Sequence, residues 1–334
     1  MKIVVLILSS CLLLLSCKKQ QEIIEKPTPL QLQKYPVNLS VSGFTQTHTP
    51  FSTSSKQTTA LYNTPSATLT YYKIHYIVFD AQGNTVSRLE QNFNEKGKLF
   101  RIVGGVRKLV SSEMPFGSLT DSLQAGNYTV MVAAGGEHSS LNAPLIFNST
   151  ANTYTDPLFS ATLSQAKFYP DFYGFPMSDA FYYKGNLVVD TSKSVKAITL
   201  NRIVGKVKFV IEDAIPAQAI VASFTMSYNN KYVKIATNQA EEQVLATMGI
   251  SLHGSAGESN WSTEFLVLNT TTEFTLKAEL LGADYKPIVS KLIPIKALVN
   301  QQTTVTGKMS AVKPNSFTVT ADPNWGTTES TIKY

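Results

Sequence analysis

Apolar residues recur at every second position along most of this chain, and this period of two constrains the fold more than any other feature. Successive side chains of a strand point to opposite faces of a sheet, so the alternation predicts strands with one buried face. The first half shows it at 37–41, 72–78 and 128–134. In 72–78 the aromatic and aliphatic side chains share one face, which places His75 on the opposite, solvated face. A turn follows at 80–84, where Gly and Asn tolerate positive φ.

The second half continues in the same style without a detectable sequence repeat. Alternation appears at 203–211, 224–228, 274–280 and 317–319, and its phase changes near Asn201-Arg202, which predicts a bulge or a break there. The only helix that we expect is a short one around 240–248.

The pattern excludes folds that alternate helices with parallel strands, such as Rossmann domains and (β/α) barrels. A chain of 334 residues is long enough for two domains. We therefore expect an all-β protein of two consecutive Greek-key β-sandwiches. The expected order is a signal peptide at 1–16, a tether at 17–36, a first sandwich at 37–165, an aromatic-rich connection at 166–180 and a second sandwich at 181–334.

The N-terminal sequence predicts an export signal, and the alternative interpretation is an uncleaved N-terminal anchor. Lys2 is followed by a short apolar stretch that ends in Leu-Leu-Ser-Cys, which resembles the bacterial lipobox with Cys17 as the acylated residue. Cys11 is a weaker rival, because four leucines follow it. The sequence therefore predicts a lipid-anchored envelope protein whose Cys17 holds it to the membrane. The segment after Cys17 is polar and contains three prolines, which is typical of a tether.

Composition excludes several classes of function. Both cysteines lie in the first 17 residues, so the folded part has neither a cysteine-based metal site nor a disulfide framework. The net charge of +6 is scattered, which makes nucleic acid an unfavoured partner. The four histidines are isolated, no G-x-S-x-G motif is present, and the pair Glu241-Glu242 diverges on the expected helix. We therefore expect no enzyme, no catalytic residues, no metal and no cofactor.

One segment, 168–183, has eight aromatic residues in sixteen positions. Such rings suit contacts with partner proteins or sugars, and they equally suit a stiff connection packed between two domains. The candidate contact residues are Phe168, Tyr169, Phe172, Tyr173, Phe175, Tyr182 and Tyr183.

Three motifs carry a resemblance to a known family. They are the strand and D-x-x-G turn at 76–83, the stretch from Phe116 through L-x-A-G-x-Y at 123–128, and 198–207 with Asp-Ala-Ile-Pro after it. In this order behind a lipobox, with a late Trp325, they resemble the fimbrillin superfamily, the subunits and anchors of type V pili in Gram-negative bacteria. Within L-x-A-G-x-Y, the Tyr128 hydroxyl is expected to cap nearby backbone, as in a tyrosine corner.

The resemblance implies two transthyretin-like sandwiches on a lipidated N-terminus at the outer membrane. It also implies pilin-type members that lose an N-terminal segment to an Arg-specific protease and then accept a strand from the next subunit. This chain departs from that pattern, because its first arginine is Arg88, inside the first sandwich. The departure favours an anchor or accessory role over a stalk subunit.

Two functions stay open from the sequence. The first is a fimbrial anchor or accessory lipoprotein that pairs with pilin-like subunits by strand exchange, with Phe317, Val319 and Trp325 as candidate exchange residues. The second is a surface lipoprotein that binds a glycan or another ligand. An open groove along the first sandwich favours assembly, and exposed aromatic rings at 168–183 favour binding.

Overall fold

The computed structural model describes residues 33–41, 73–95, 97–137, 139–141, 146–148, 153–155, 162–170, 178–192, 194–268, 272–310 and 317–322. These residues contain 22 strands and no helix, which confirms the all-β prediction. The strands are β1 (Lys34–Val41), β2 (Lys73–Phe79), β3 (Thr85–Asn92), β4 (Leu99–Val103), β5 (Val106–Ser111), β6 (Ser118–Gln124), β7 (Gly126–Gly135), β8 (Ser140–Leu141), β9 (Ile146–Asn148), β10 (Thr153–Thr155), β11 (Lys167–Tyr169), β12 (Phe181–Val189), β13 (Ser194–Ile198), β14 (Asn201–Arg202), β15 (Gly205–Ile211), β16 (Val221–Lys234), β17 (Gln239–Ser251), β18 (Trp261–Val267), β19 (Phe274–Leu281), β20 (Pro287–Ile295), β21 (Gln302–Gly307) and β22 (Phe317–Asp322).

Two sheets of unequal width enclose the first core. The wide sheet has seven strands in the order β14-β12-β7-β2-β3-β4-β5, and the narrow sheet has three in the order β13-β1-β6. Their facing side chains form one buried cluster, to which β1 contributes Val37 and Leu39 and β2 contributes Ile74, Tyr76 and Val78. This is a β-sandwich built from the alternation that the sequence shows.

A second core lies between two further sheets. One has the order β20-β19-β16-β11-β8 with β17 paired along β16, and the other has the order β18-β15-β21-β22. Phe209 of β15 and Phe224 of β16 meet at the centre of this core, with ring centroids 5.0 Å apart. The prediction of a short helix around 240–248 is wrong, because these residues lie within β17 and pair with β16. Its Ala, Glu, Gln, Leu and Met residues are good helix formers, and pairing with β16 overrides that local preference.

A third buried cluster uses the outer face of the wide sheet. Ile77 of β2 and Met131 of β7 pack there with Phe168 of β11 and Val233 of β16. Strand β11 pairs with β8 on one side and with β16 on the other, so main-chain pairing continues across the predicted connection. The division into sandwiches at 37–165 and 181–334 stays a prediction.

Two local predictions can be compared with the structure. The turn at 80–84 is present, with Gly83 at φ 81° and its amide bonded to the Asp80 carbonyl over 3.0 Å. Of the bulge or break predicted near Asn201-Arg202, the structure has a break, because β13 ends at Ile198 and Asn201 then pairs with Tyr182 of β12 in the other sheet.

Candidate interaction surface

The first strand occupies the middle of the narrow sheet. β1 pairs in parallel with β13 and antiparallel with β6, so Val37 lies between Ser194 and Asp121. The Val37 and Leu39 side chains are buried in the first core. The part of the predicted tether nearest the fold, 34–36, therefore belongs to a strand held on both sides.

A polar bridge joins the two sheets at the rim of this core. The Arg101 guanidinium of β4 donates to the Asp121 carboxylate of β6 over 2.7 Å and to the Ser87 hydroxyl of β3 over 3.1 Å. The Asp121 side chain is almost fully buried, whereas that of Arg101 is about a third exposed. The Tyr76 hydroxyl is buried beside this pair, and burial together with the Asp121 charge raises its pKa well above the usual range. Strand β6 therefore lies above β3 and β4, and Arg101 marks where the enclosed core ends.

The β4–β5 hairpin extends beyond that rim. Gly104 and Gly105 both adopt positive φ, and this tight turn places Val103 opposite Val106. Apolar side chains of the hairpin are strongly exposed, with 46 % for Val103, 59 % for Val106, 57 % for Leu109 and 44 % for Val110. Sequence reasoning missed this surface. A sequence signal for it was present at 106–110, where apolar residues lie on both faces of the strand. In the structure the β5 side chains are not buried in a core.

The tyrosine predicted to cap backbone does so. The Tyr128 hydroxyl donates to the Gln124 carbonyl over 2.9 Å, and the ring packs against the first core. Its pKa is raised, chiefly by burial and next by the Asp80 charge. Tyr128 therefore has the structural role of a tyrosine corner, as the sequence predicts.

The described aromatic residues of 168–183 do not form an exposed platform. Phe168, Tyr169 and Tyr182 are buried, and Tyr183 is half-buried against the first core. The Tyr182 hydroxyl donates to the Asn238 side chain over 3.1 Å, while burial raises the pKa of Tyr169 to about 12. Buried rings cannot stack on a sugar, so these side chains serve packing. Phe172, Tyr173 and Phe175 lie outside the described residues.

The predicted exchange strand is an edge strand. β22 pairs antiparallel with β21 along its whole length, from Phe317 opposite Gly307 to Asp322 opposite Gln302. Phe317 and Val319 pack against the second core, and the Phe317 ring lies 5.4 Å from that of Phe209. In this structure β22 is an integral strand of its own sheet. Trp325 lies outside the described residues, as do Cys11 and Cys17.

The prediction for His75 is wrong. Its ring is almost fully buried, with Nε2 3.1 Å from the Ser139 carbonyl oxygen and Nδ1 3.6 Å from the Glu90 carboxylate. Both faces of β2 are covered, because the outer face of the wide sheet packs into the third cluster. Burial lowers the pKa of His75 well below its usual value, and the charges of Lys73, Arg88 and Arg107 act in the same direction.

Two kinds of site are missing from the described part of the chain. No three of its His, Cys, Asp and Glu side chains are grouped so that they could hold a metal ion. Its elements also include no helix long and apolar enough to cross a membrane.

The chain is similar to several solved structures, whereas no family model and no curated protein matches its sequence. One is the fimbrial anchor protein Mfa2 from Porphyromonas gingivalis, with 10 % identity, a TM-score of 0.44 and coverage of 87 % of this chain and 98 % of that one. Another is a fimbrial assembly protein from Parabacteroides distasonis, with 12 % identity, a TM-score of 0.39 and coverage of 86 % and 94 %. A third, from Bacteroides thetaiotaomicron, is described as a candidate polysaccharide-binding protein, with 11 % identity, a TM-score of 0.46 and coverage of 87 % and 96 %.

Proposed function

We propose that this chain is a non-enzymatic lipoprotein of the outer membrane that serves as an anchor or accessory subunit of fimbriae. In this proposal Cys17 carries the lipid, residues 17–36 lead to two tandem sandwiches, and pilin-like subunits are the partners. The chain works in assembly and adhesion through main-chain pairing between strands.

One observation carries the anchor role. β1 follows the predicted tether directly and is the central strand of the narrow sheet, paired with β13 and β6. A central strand can leave only if two ladders break and its buried Val37 and Leu39 become exposed. No arginine precedes Arg88, so an Arg-specific protease has no site before or within this strand. Both facts favour a permanent connection between lipid and fold, as an anchor requires.

The glycan-binding alternative receives less support. It depends on exposed rings, and the three buried aromatic residues, Phe168, Tyr169 and Tyr182, face the protein interior. One exposed apolar surface lies on the β4–β5 hairpin, where no aromatic side chain is strongly exposed. A surface of valine and leucine beside an open strand edge suits protein pairing better than a sugar ring.

Substitution at the lipid site tests the membrane part of the proposal. Cys17→Ala should abolish labelling by a fatty-acid probe and release the protein from the membrane fraction, whereas the matched Cys11→Ala variant should keep both. Continued labelling of Cys17→Ala would refute this anchor.

Co-purification tests the fimbrial part. The full-length, lipidated chain should co-purify with fimbrial subunits from its native cells, and a variant lacking 315–334 should lose them if β22 makes the contact. Melting curves must show that this variant still folds. A wild-type chain that never co-purifies with fimbrial subunits would contradict the fimbrial role.

A further inference from the structure

Among the residues that the structure describes, the three strands of the narrow sheet face only part of the seven-stranded wide sheet. β13 lies near β12, where the Lys196 ammonium is 5.5 Å from the centroid of the Tyr183 ring, and β6 lies above β3 and β4. The free side of β6 therefore faces the β5 end of the wide sheet, and three strands cannot cover seven. The space next to β6 and above β5 has the position of a fourth strand of the narrow sheet.

The floor of this space is an apolar surface with one cation. Val106 and Lys108 pair across the hairpin with Val103 and Arg101, so they share the interior face of β4. Arg101 is neutralised by Asp121, whereas Lys108 is exposed and has no ion-pair partner among the residues that the structure describes. Along the regularly paired part of β5 the floor therefore has Val106 and then Lys108, and the register shifts after Leu109.

The free side of β6 offers main-chain groups for pairing. Pro36 of β1 lies opposite Ser122 and has no amide hydrogen, so this is a non-hydrogen-bonded pair. Asn38 and Thr120, two residues along, form the same kind of pair, so the amides of Ser122, Thr120 and Ser118 point away from β1. Asp121 accepts the Ser122 amide over 2.7 Å, and the Pro115 carbonyl accepts that of Ser118 over 3.0 Å. Of these three amides, that of Thr120 has no acceptor among the residues that the structure describes, so it can bond an added strand.

β6 itself shows which residues suit the neighbouring position. Its inward side chains are Leu119, Asp121 and Leu123, with the acid paired to Arg101. Arg101 and Lys108 are partners across the hairpin, so the next strand out would face Lys108 as β6 faces Arg101. The complementary segment is therefore apolar-x-acidic-x-apolar, with polar residues between.

Two other strands, β20 and β17, carry residues that protect a sheet edge against pairing. β20 contains Pro287 and Pro294, and β17 contains Glu241 and Glu242, the latter at φ 62°. On β5, the Arg107 side chain does not extend from the strand edge, because its guanidinium lies 3.8 Å above the Phe100 ring and pairs with Glu90 of β3 and with Glu95 of the β3–β4 turn.

We propose that the open side of β6, above Val103, Val106 and Lys108, binds one extended segment of a fimbrial subunit with the pattern apolar-x-acidic-x-apolar. This inference rests on the proposed function for the source of the segment. The segment pairs with β6 through main-chain hydrogen bonds, covers the exposed valines and places its carboxylate next to Lys108. The site lies beside the narrow sheet and leaves β1 in place.

A pair of peptides tests the site directly. The probes are fluorescein-labelled Ser-Val-Thr-Asp-Thr-Val-Ser and its counterpart with Lys in place of Asp, titrated with the full-length chain in detergent and followed by fluorescence anisotropy. The Asp peptide should bind about fivefold more tightly than the Lys peptide, because an exposed ion pair contributes modestly. Lys108→Glu should reverse that order.

Substitutions at Thr120 test main-chain pairing. Thr120→Pro removes the outward amide and should abolish binding of both peptides, whereas the matched Thr120→Ala should bind the Asp peptide as wild type does. Both lose the Thr120 hydroxyl bond to Asn38, so the comparison isolates the amide. Equal binding by the two Thr120 variants, an unchanged peptide preference in Lys108→Glu, or no binding of either peptide by wild type would overturn the proposal.

The fimbrial role and this site can fail separately. Peptide binding as expected in a protein that never co-purifies with fimbrial subunits would contradict the fimbrial role and leave the site standing. Fimbrial subunits that co-purify undiminished with Thr120→Pro and with Lys108→Glu would leave the role standing and overturn the site.

Discussion

Phe168→Ala should strongly destabilise the protein. The ring is fully buried in the third cluster, 6.1 Å from the His75 ring in an edge-on arrangement. Its strand neighbours are Leu141 and Val233, and the backbone of Gly135 approaches so closely that an added Cβ would lie 3.3 Å from the ring. Truncation of a ring in so tight a site leaves a cavity that its neighbours cannot fill, which costs about 3–5 kcal/mol.

Thermal unfolding measures this loss. At roughly 2–4 °C per kcal/mol, the melting temperature should fall by about 6–20 °C. The matched control is Tyr285→Ala, since this side chain is 70 % exposed and its truncation should cost less than about 0.5 kcal/mol. Urea titration of the two variants should rank them in the same order.

The result also decides between packing and ligand contact for this ring. If the melting temperatures of Phe168→Ala and of the Tyr285→Ala control differed by less than about 2 °C, the packing argument would be refuted. Such a result would restore Phe168 as a candidate contact residue. A large loss of stability would place Phe168 among the residues that join strands of the two halves of the chain.

Four further experiments test the Arg101–Asp121 bridge, the titration of His75, the hydrogen bond of Tyr128 and the accessibility of two segments. Asp121→Ala should lower the free energy of unfolding in urea by about 1–3 kcal/mol, because the Arg101 guanidinium and the Ser122 amide lose their acceptor; an unchanged midpoint would contradict the bridge. The folded-state pKa of His75 is lowered, so stability is full above pH 6.5 and should fall as the pH drops below it, by up to about 1.4 kcal/mol per pH unit. Melts from pH 7 to 5 should show this slope in wild type and lose it in His75→Gln. Tyr128→Phe should cost about 1 kcal/mol of unfolding free energy in urea, and no loss would argue against the tyrosine corner. Limited proteolysis should cut the polar segment 45–68 before 168–183, and the reverse order would show an accessible aromatic segment.

The strands and their inward faces follow largely from the sequence. Alternation at 37–41 and 128–134 places Val37, Leu39, Val130 and Val132 in the core, where the structure has them. The turn at 80–84 and the hydroxyl cap of Tyr128 also follow, because both depend on contacts within a few residues. Local periodicity and turn chemistry suffice for such features.

Features that depend on which strands become neighbours do not follow from the sequence. His75 alternates like a solvated residue, yet it is buried, because the outer face of the wide sheet meets β8, β11 and β16. Residues 240–248 have the composition of a helix, and pairing with β16 makes them a strand. In both cases long-range pairing outweighs the local pattern.

The candidate site divides in the same way. The sequence alone predicts the lipidated Cys17, the polar tether and a first strand without a preceding arginine, because these depend on residue type and order. The open side of β6 is different, because it exists only where three strands face seven and leave Val106 and Lys108 uncovered. Strand order and sheet width arise from pairing between distant segments, and a period of two is the same for a central strand and for an edge. The tertiary structure therefore decides where this chain can accept another strand.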